Sequence, residues 1–79
     1  MRGLNPDQLR AFADVVALGS FSAAAQRLHL SQPAVSQQVR QLEARLGLPL
    51  IERVGRAAKP TAAGTELLTH IQRIDRKSV

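Results

Sequence analysis

The 79-residue sequence predicts a mainly α-helical domain: three short helices packed as one unit, the last two forming a helix-turn-helix, then a small β-hairpin and a fourth helix. Three observations point there. Apolar residues recur at helical spacing in four separate segments. Each segment follows an Asn, Ser or Thr able to cap it. Between the third and fourth segments the helical period is lost over "LPLIERVGRAAKPT", where Gly55 lies between two short apolar runs.

The first helix is announced by "NPDQLRAFADVVALG". Asn5 is an N-cap, and Pro6 stands at the first helical position, where its missing N–H costs nothing. Asp7 brings an acid to the first turn, and Gln8 is placed as a capping-box partner. Leu9, Phe12, Ala13 and Val16 form the apolar stripe, and Gly19 supplies a left-handed stop. Ser20 caps the second helix, with Phe21, Ala24, Ala25 and Leu28 as its stripe, and the paired alanines let another helix come close. Ser31 caps the third, whose stripe is Val35, Val39, Leu42 and Leu46 and whose stop is Gly47-Leu48-Pro49. In the hairpin, Leu50-Ile51 opens the first strand, Ala57 to Lys59 forms the second before Pro60, and Arg53, Arg56 and Lys59 are expected to cluster. Thr61 caps the last helix, whose stripe is Leu67, Leu68, Ile71 and Ile74.

With 44% hydrophobic residues a chain this short can fold, but the absence of a deep core weighs against an enclosed active site. Eleven Lys and Arg against six Asp and Glu leave a formal charge of +5, and nine of the eleven are arginine, the side chain suited to bidentate contacts with phosphate or guanine. The expected partner is an anion, with nucleic acid the commonest large one. No cysteine is present, which excludes a disulfide frame or thiolate metal site and leans towards the cytoplasm. No apolar run approaches the roughly 20 residues of a membrane span, and no signal-peptide core follows Met1-Arg2. Phe12 and Phe21 are the only aromatics, too few for a platform that stacks single-stranded bases.

The third helix carries the most information. At 100° per residue Val35, Val39, Leu42 and Leu46 share one side, while Pro33, Gln37, Arg40 and Ala44 lie opposite with Ser36 at the flank. A face meant only for solubility usually carries Glu and Lys in i,i+4 pairs; here Glu43 is the only acid and projects away from the Gln37/Arg40 line. Gln, Ser and Arg match the donors and acceptors on base edges in the major groove, and phosphates would repel carboxylates. A glutamine-rich face alone is more often simply solvated. The preceding helix, the Ser31 cap and the basic hairpin together favour DNA.

The run "FSAAAQRLHLSQPAVSQQVRQLEARLGLPLIERVGRAAKPTAAG" strongly resembles the N-terminal winged helix-turn-helix domain of LysR-type transcriptional regulators. The paired alanines, "SQPAVSQQVRQLE", the "LG" stop, the arginine-bearing wing and "TAAG" carry the likeness, which extends from Leu9 to Gly64. It implies a bacterial transcription factor that binds double-stranded DNA at an inverted-repeat operator as a homodimer, or as a tetramer in a full-length form. Residues 1–60 would be the DNA-binding domain and 61–79 the start of a linker helix, with the effector-sensing domain outside this chain. By the same resemblance Gln32, Pro33, Ser36 and Gln37 sit in the major groove. Arg53 and Arg56 belong to the wing, Arg56 reaching towards the minor groove, where narrow A·T-rich sequence concentrates negative potential. Ser22, Ser31, Arg40 and Lys59 are expected on the DNA backbone, with Gln38 and Gln41 at the flank or on phosphates. Leu67, Leu68, Ile71 and Ile74 are expected to pair antiparallel with a second copy, the alternative being that the stripe folds back on the first helix. Three positions depart from the family's habit: Ile51 replaces a frequent phenylalanine, Pro60 a frequent leucine and Gln37 a frequent arginine.

Other chemistry finds no support in the sequence. His29 and His70 lack a second ligand at metal spacing, and Ser20, Ser22, Ser31 and Ser36 lack a histidine and acid arrangement. Gly55 and Gly64 are isolated and form no phosphate-cradling loop. No catalytic residue, cofactor or metal is expected. The competing readings are a protein-interaction module acting through the last helix and an RNA-binding domain, the latter disfavoured by the shortage of aromatics.

Overall fold

The computed structural model describes the backbone of residues 5–78 and the side chains of residues 5–71. In chain order it contains α1 (Pro6–Leu18), α2 (Phe21–Leu28), α3 (Gln32–Leu46), β1 (Ile51–Val54), β2 (Ala57–Pro60) and α4 (Ala62–Ser78). The expected caps are made. The side-chain oxygens of Asn5, Ser20, Ser31 and Thr61 accept from the backbone N–H of Asp7, Ala23, Ala34 and Gly64 at 2.8, 3.1, 3.2 and 3.1 Å. Each such bond satisfies an N–H that the helix itself leaves unpaired and is worth about 1 kcal/mol. Gly19 and Gly47 close α1 and α3 in the left-handed conformation, at φ 67° and 71°.

Phe12, Val15, Ala24, Val35, Val39 and Leu42 are all but sealed from solvent and join the three helices, each of which packs on the other two. The buried side of α1 is Gln8, Ala11, Phe12 and Val15, turned from the expected stripe; Leu9, Ala13 and Val16 are only half-buried. The cause is that α1 is gripped by two helices, so its inner face is centred between the two contacts. Gln8 is not a capping-box partner. It is 8% exposed, and its Nε2 donates to Oε1 of Gln41 on α3 at 2.9 Å. Leu46 is exposed, unlike the rest of its stripe, because it stands in the last turn of α3 just before Gly47 reverses the chain.

The hairpin pairs Ile51 with Pro60, Glu52 with Lys59, Arg53 with Ala58 and Val54 with Ala57, so the second strand runs one residue further than the sequence suggested. Gly55 takes φ 62° at the first of two loop positions, the place where a type II′ turn requires it. Three bonds dock the ribbon: Ala58 N–H donates to the Gly19 carbonyl at 3.0 Å, and Leu50 and Ile51 N–H donate to the Glu43 carboxylate at 2.7 and 3.2 Å. Leu50 and Ala58 bury their side chains beneath it.

Candidate nucleic-acid interface

The turn between α2 and α3 sets the angle at which α3 is offered to a partner. His29 ends α2 at φ 59°, its N–H shared between the carbonyls of Ala25 and Gln26, and Leu30 N–H returns to Ala25 at 2.9 Å. Histidine tolerates this left-handed position better than most non-glycine residues. Ser31 then starts α3, and Pro33, inside the first turn, gives up an N–H that would have had no intrahelical partner. Ala24 and Ala25, both buried, allow the two helices to close on each other.

Gln32, Pro33, Ser36, Gln37 and Arg40 of α3 line one open concavity, and Arg53 reaches it from β1. Gln32 Nε2 donates to Ser36 Oγ at 2.9 Å, one turn along, so these two half-buried side chains are presented as a pair. Pro33, Gln37 and Arg40 are exposed. The Glu43 carboxylate, half-buried and held by two backbone donors, is drawn back against the start of β1. Gln41, expected at the flank or on phosphates, instead accepts from Gln8 towards α1.

The wing arginines and lysine do not form one cluster. Side chains paired across an antiparallel ribbon leave the same face and alternate along it. Ile51, Arg53, Ala58 and Pro60 therefore share the face that carries buried Ala58, while Glu52, Val54, Ala57 and Lys59 share the other, all exposed. Arg56 stands at the loop, exposed. The Arg53 guanidinium lies over the Phe21 ring, 4.5 Å from its centroid. Ser22, in the first turn of α2, and Ser31, at the start of α3, are exposed.

At the far side Thr61 joins α4 to the wing. Its hydroxyl donates to the Pro49 carbonyl at 2.6 Å and its N–H to the Leu50 carbonyl at 3.0 Å. Gly64 presses against Leu50 so closely that a methyl group there would collide with the Leu50 carbonyl oxygen. Leu67 is 8% exposed within the chain's own core, and Leu68 and Ile71 are half-buried beside it. The side chain of Ile74 lies outside the described residues.

A family model described as "Bacterial regulatory helix-turn-helix protein, lysR family" matches residues 6–65, the stretch that holds the helix-turn-helix, the wing and the first turn of α4. The chain belongs to the LysR family. Among relatives, the RuBisCO operon transcriptional regulator of Allochromatium vinosum is 51% identical over 67 residues, covering 85% of this chain and 22% of that protein. The chain thus spans about a fifth of the length of that relative. Of solved structures, the CbnR DNA-binding domain in complex with DNA is 43% identical with a TM-score of 0.82, over 91% of this chain and 83% of that one. The BenM DNA-binding domain in complex with benA site 1 DNA is 34% identical with a TM-score of 0.79, over 91% and 85%. The winged helix-turn-helix read from the sequence is the fold these LysR domains share.

Sequence reasoning missed Glu43 as the tether of the wing, Phe21 as the seat of Arg53 and Gly64 as a point of contact with Leu50. For Glu43 a signal was present: it is the sole acid in a helix otherwise cleared of carboxylates. Phe21 was assigned to the stripe of α2, and nothing local separates a core phenylalanine from one that is half open. Gly64 differs from a dispensable helical glycine only through a neighbour 14 residues earlier.

Proposed function

We propose that this chain binds double-stranded DNA sequence-specifically, as the DNA-reading part of a LysR-type transcriptional regulator rather than as an enzyme. In this reading Gln32, Pro33, Ser36 and Gln37 face base edges in the major groove. Ser22, Ser31, Arg40, Arg53 and Lys59 meet the backbone, and Arg56 at the wing tip approaches the minor groove. Residues 1–60 do the reading, and 61–79 begin a linker helix through which two copies, in the cytoplasm, engage an inverted repeat. The observation that carries this is the concavity lined by Gln32, Pro33, Ser36, Gln37, Arg40 and Arg53, where neutral donor-acceptor side chains are bracketed by two arginines. The formal charge of +5 and the CbnR and BenM complexes with DNA support it.

The dimer part of the reading is supported by Leu68 and Ile71, half-buried on α4 next to buried Leu67, with Ile74 one turn further along the sequence. The test is a selection of bound duplexes from a random-sequence pool, followed by titration across salt concentrations. Specific binding should weaken steeply with salt, log K falling by about 0.9 per neutralised phosphate per log unit. Binding that ignores salt, or a selection that enriches no sequence, would overturn the proposal.

A further inference from the structure

We infer that Phe21 is a positioning residue for DNA binding: its ring holds the Arg53 guanidinium against the helices, so that Arg53 and Arg40 grip the same stretch of phosphate backbone, separately from Arg56 at the wing tip. This rests on the DNA-binding reading above. The placement begins with the pleat. Arg53 is paired with buried Ala58 and so leaves the inner face of the ribbon, whereas Lys59 leaves the outer face. An arginine on an inner face must find a surface to lie on, and the one it meets is aromatic, 4.5 Å from guanidinium carbon to ring centroid and well inside the roughly 6 Å reach of a cation–π contact.

The ring can serve in this way because it packs against the edge of the core and keeps part of its surface open. Ala24 and Ala25, its partners in the α2 stripe, are sealed, while Phe21 is only half-buried. Among the described residues no carboxylate forms an ion pair with Arg53. Glu43 lines the adjoining hollow together with Phe21, Arg40 and Arg53, but its oxygen accepts from two backbone N–H groups, and the one ion pair among the described residues is Arg27 with Asp14. Arg53 and Arg40 border this hollow and also the concavity holding Gln32 and Gln37. Two full positive charges from different elements thus flank Ser36, an arrangement suited to a phosphodiester. A free arginine side chain loses much rotational freedom on binding, and a guanidinium already resting on a ring loses less.

The experiment is a double-mutant cycle on the 79-residue chain, using a labelled duplex recovered from the selection and a scrambled duplex of equal length. F21L keeps an apolar side chain but removes the ring quadrupole. It should weaken binding to both duplexes about three- to tenfold, as loss of one cation–π contact implies. R53A should weaken both and flatten the salt slope by about 0.9, the share of one phosphate. In the R53A background F21L should change affinity less than about twofold, and F21Y, which retains a ring, should bind as the unmodified chain does. An equal F21L penalty in both backgrounds, or none in either, overturns the inference. The free chain gives an independent readout: the Arg53 Nε proton should be shifted upfield by the ring current, and an ordinary arginine position overturns the inference even if F21L fails to fold. If the unmodified chain binds no duplex, the DNA-binding reading itself falls. If it binds with the expected salt dependence but shows no coupling, only the role of Phe21 falls.

Discussion

α3 and α4 are both amphipathic helices started by a hydroxyl cap, yet they stand differently towards the rest of the chain. α3 is enclosed by α1 and α2 along Val35, Val39 and Leu42, and its open side is polar. α4 leans on the wing, commits Leu67 fully and leaves Leu68 and Ile71 half-covered. A helix whose apolar stripe is completed by its own chain can devote its other face to a ligand. One whose stripe is incomplete has apolar surface left to bury, and a second copy is the simplest source of cover.

The contrast is most easily broken at the core. Leu42→Ala, at a position with no exposure, should destabilise the fold by about 2–5 kcal/mol in thermal or denaturant unfolding, and Leu67→Ala should sit at the low end of that range. Equal losses would mean that α4 is as deeply integrated as α3. Next comes the joint between wing and α4. Ordinarily Gly→Ala stabilises a helix interior, but at Gly64 the added methyl meets backbone that cannot rotate away, so a loss of about 1–3 kcal/mol is expected. A raised melting temperature would show that the Leu50 carbonyl yields easily.

On the outer face of α3, Gln37→Ala should alter discrimination at particular base pairs by about 1–3 kcal/mol, while Lys59→Ala weakens all duplexes alike; binding to a panel of single-base operator variants checks this. The smallest effect on folding is expected from Leu68→Glu, about 1 kcal/mol for a half-buried site; if two copies pair through α4 as proposed, sedimentation should show dimers converted to monomers. Dimers that persist would assign Leu68 to the chain's own core and close the gap between the two helices.

The face of α3 was legible in the sequence because it depends only on helical spacing and on which residues are missing from it. The wing was legible as a hairpin but not as a set of charges. "ERVGRAAK" shows three cations close together, and only the register, Arg53 opposite Ala58 and Lys59 opposite Glu52, separates them onto different faces. The same limit applied to Gln8, which has the local spacing of a capping-box residue and the actual role of a bridge to Gln41, 33 residues away.

By itself the sequence determined the four helices and their caps, the stops of α1 and α3, the turn that makes α2 and α3 a helix-turn-helix, and a polar face of α3 free of competing acids. These are settled within one or two turns of chain, where cap, period and stop lie together. Only the tertiary structure decided that α1 turns Gln8 inward, that Glu43 tethers the wing, that Gly64 lies against the Leu50 carbonyl and that Arg53 rests on Phe21. Each of those depends on two residues, from 7 positions apart for Glu43 and Leu50 to 33 for Gln8 and Gln41, that meet only once the elements pack, and local spacing does not say which residue the partner is.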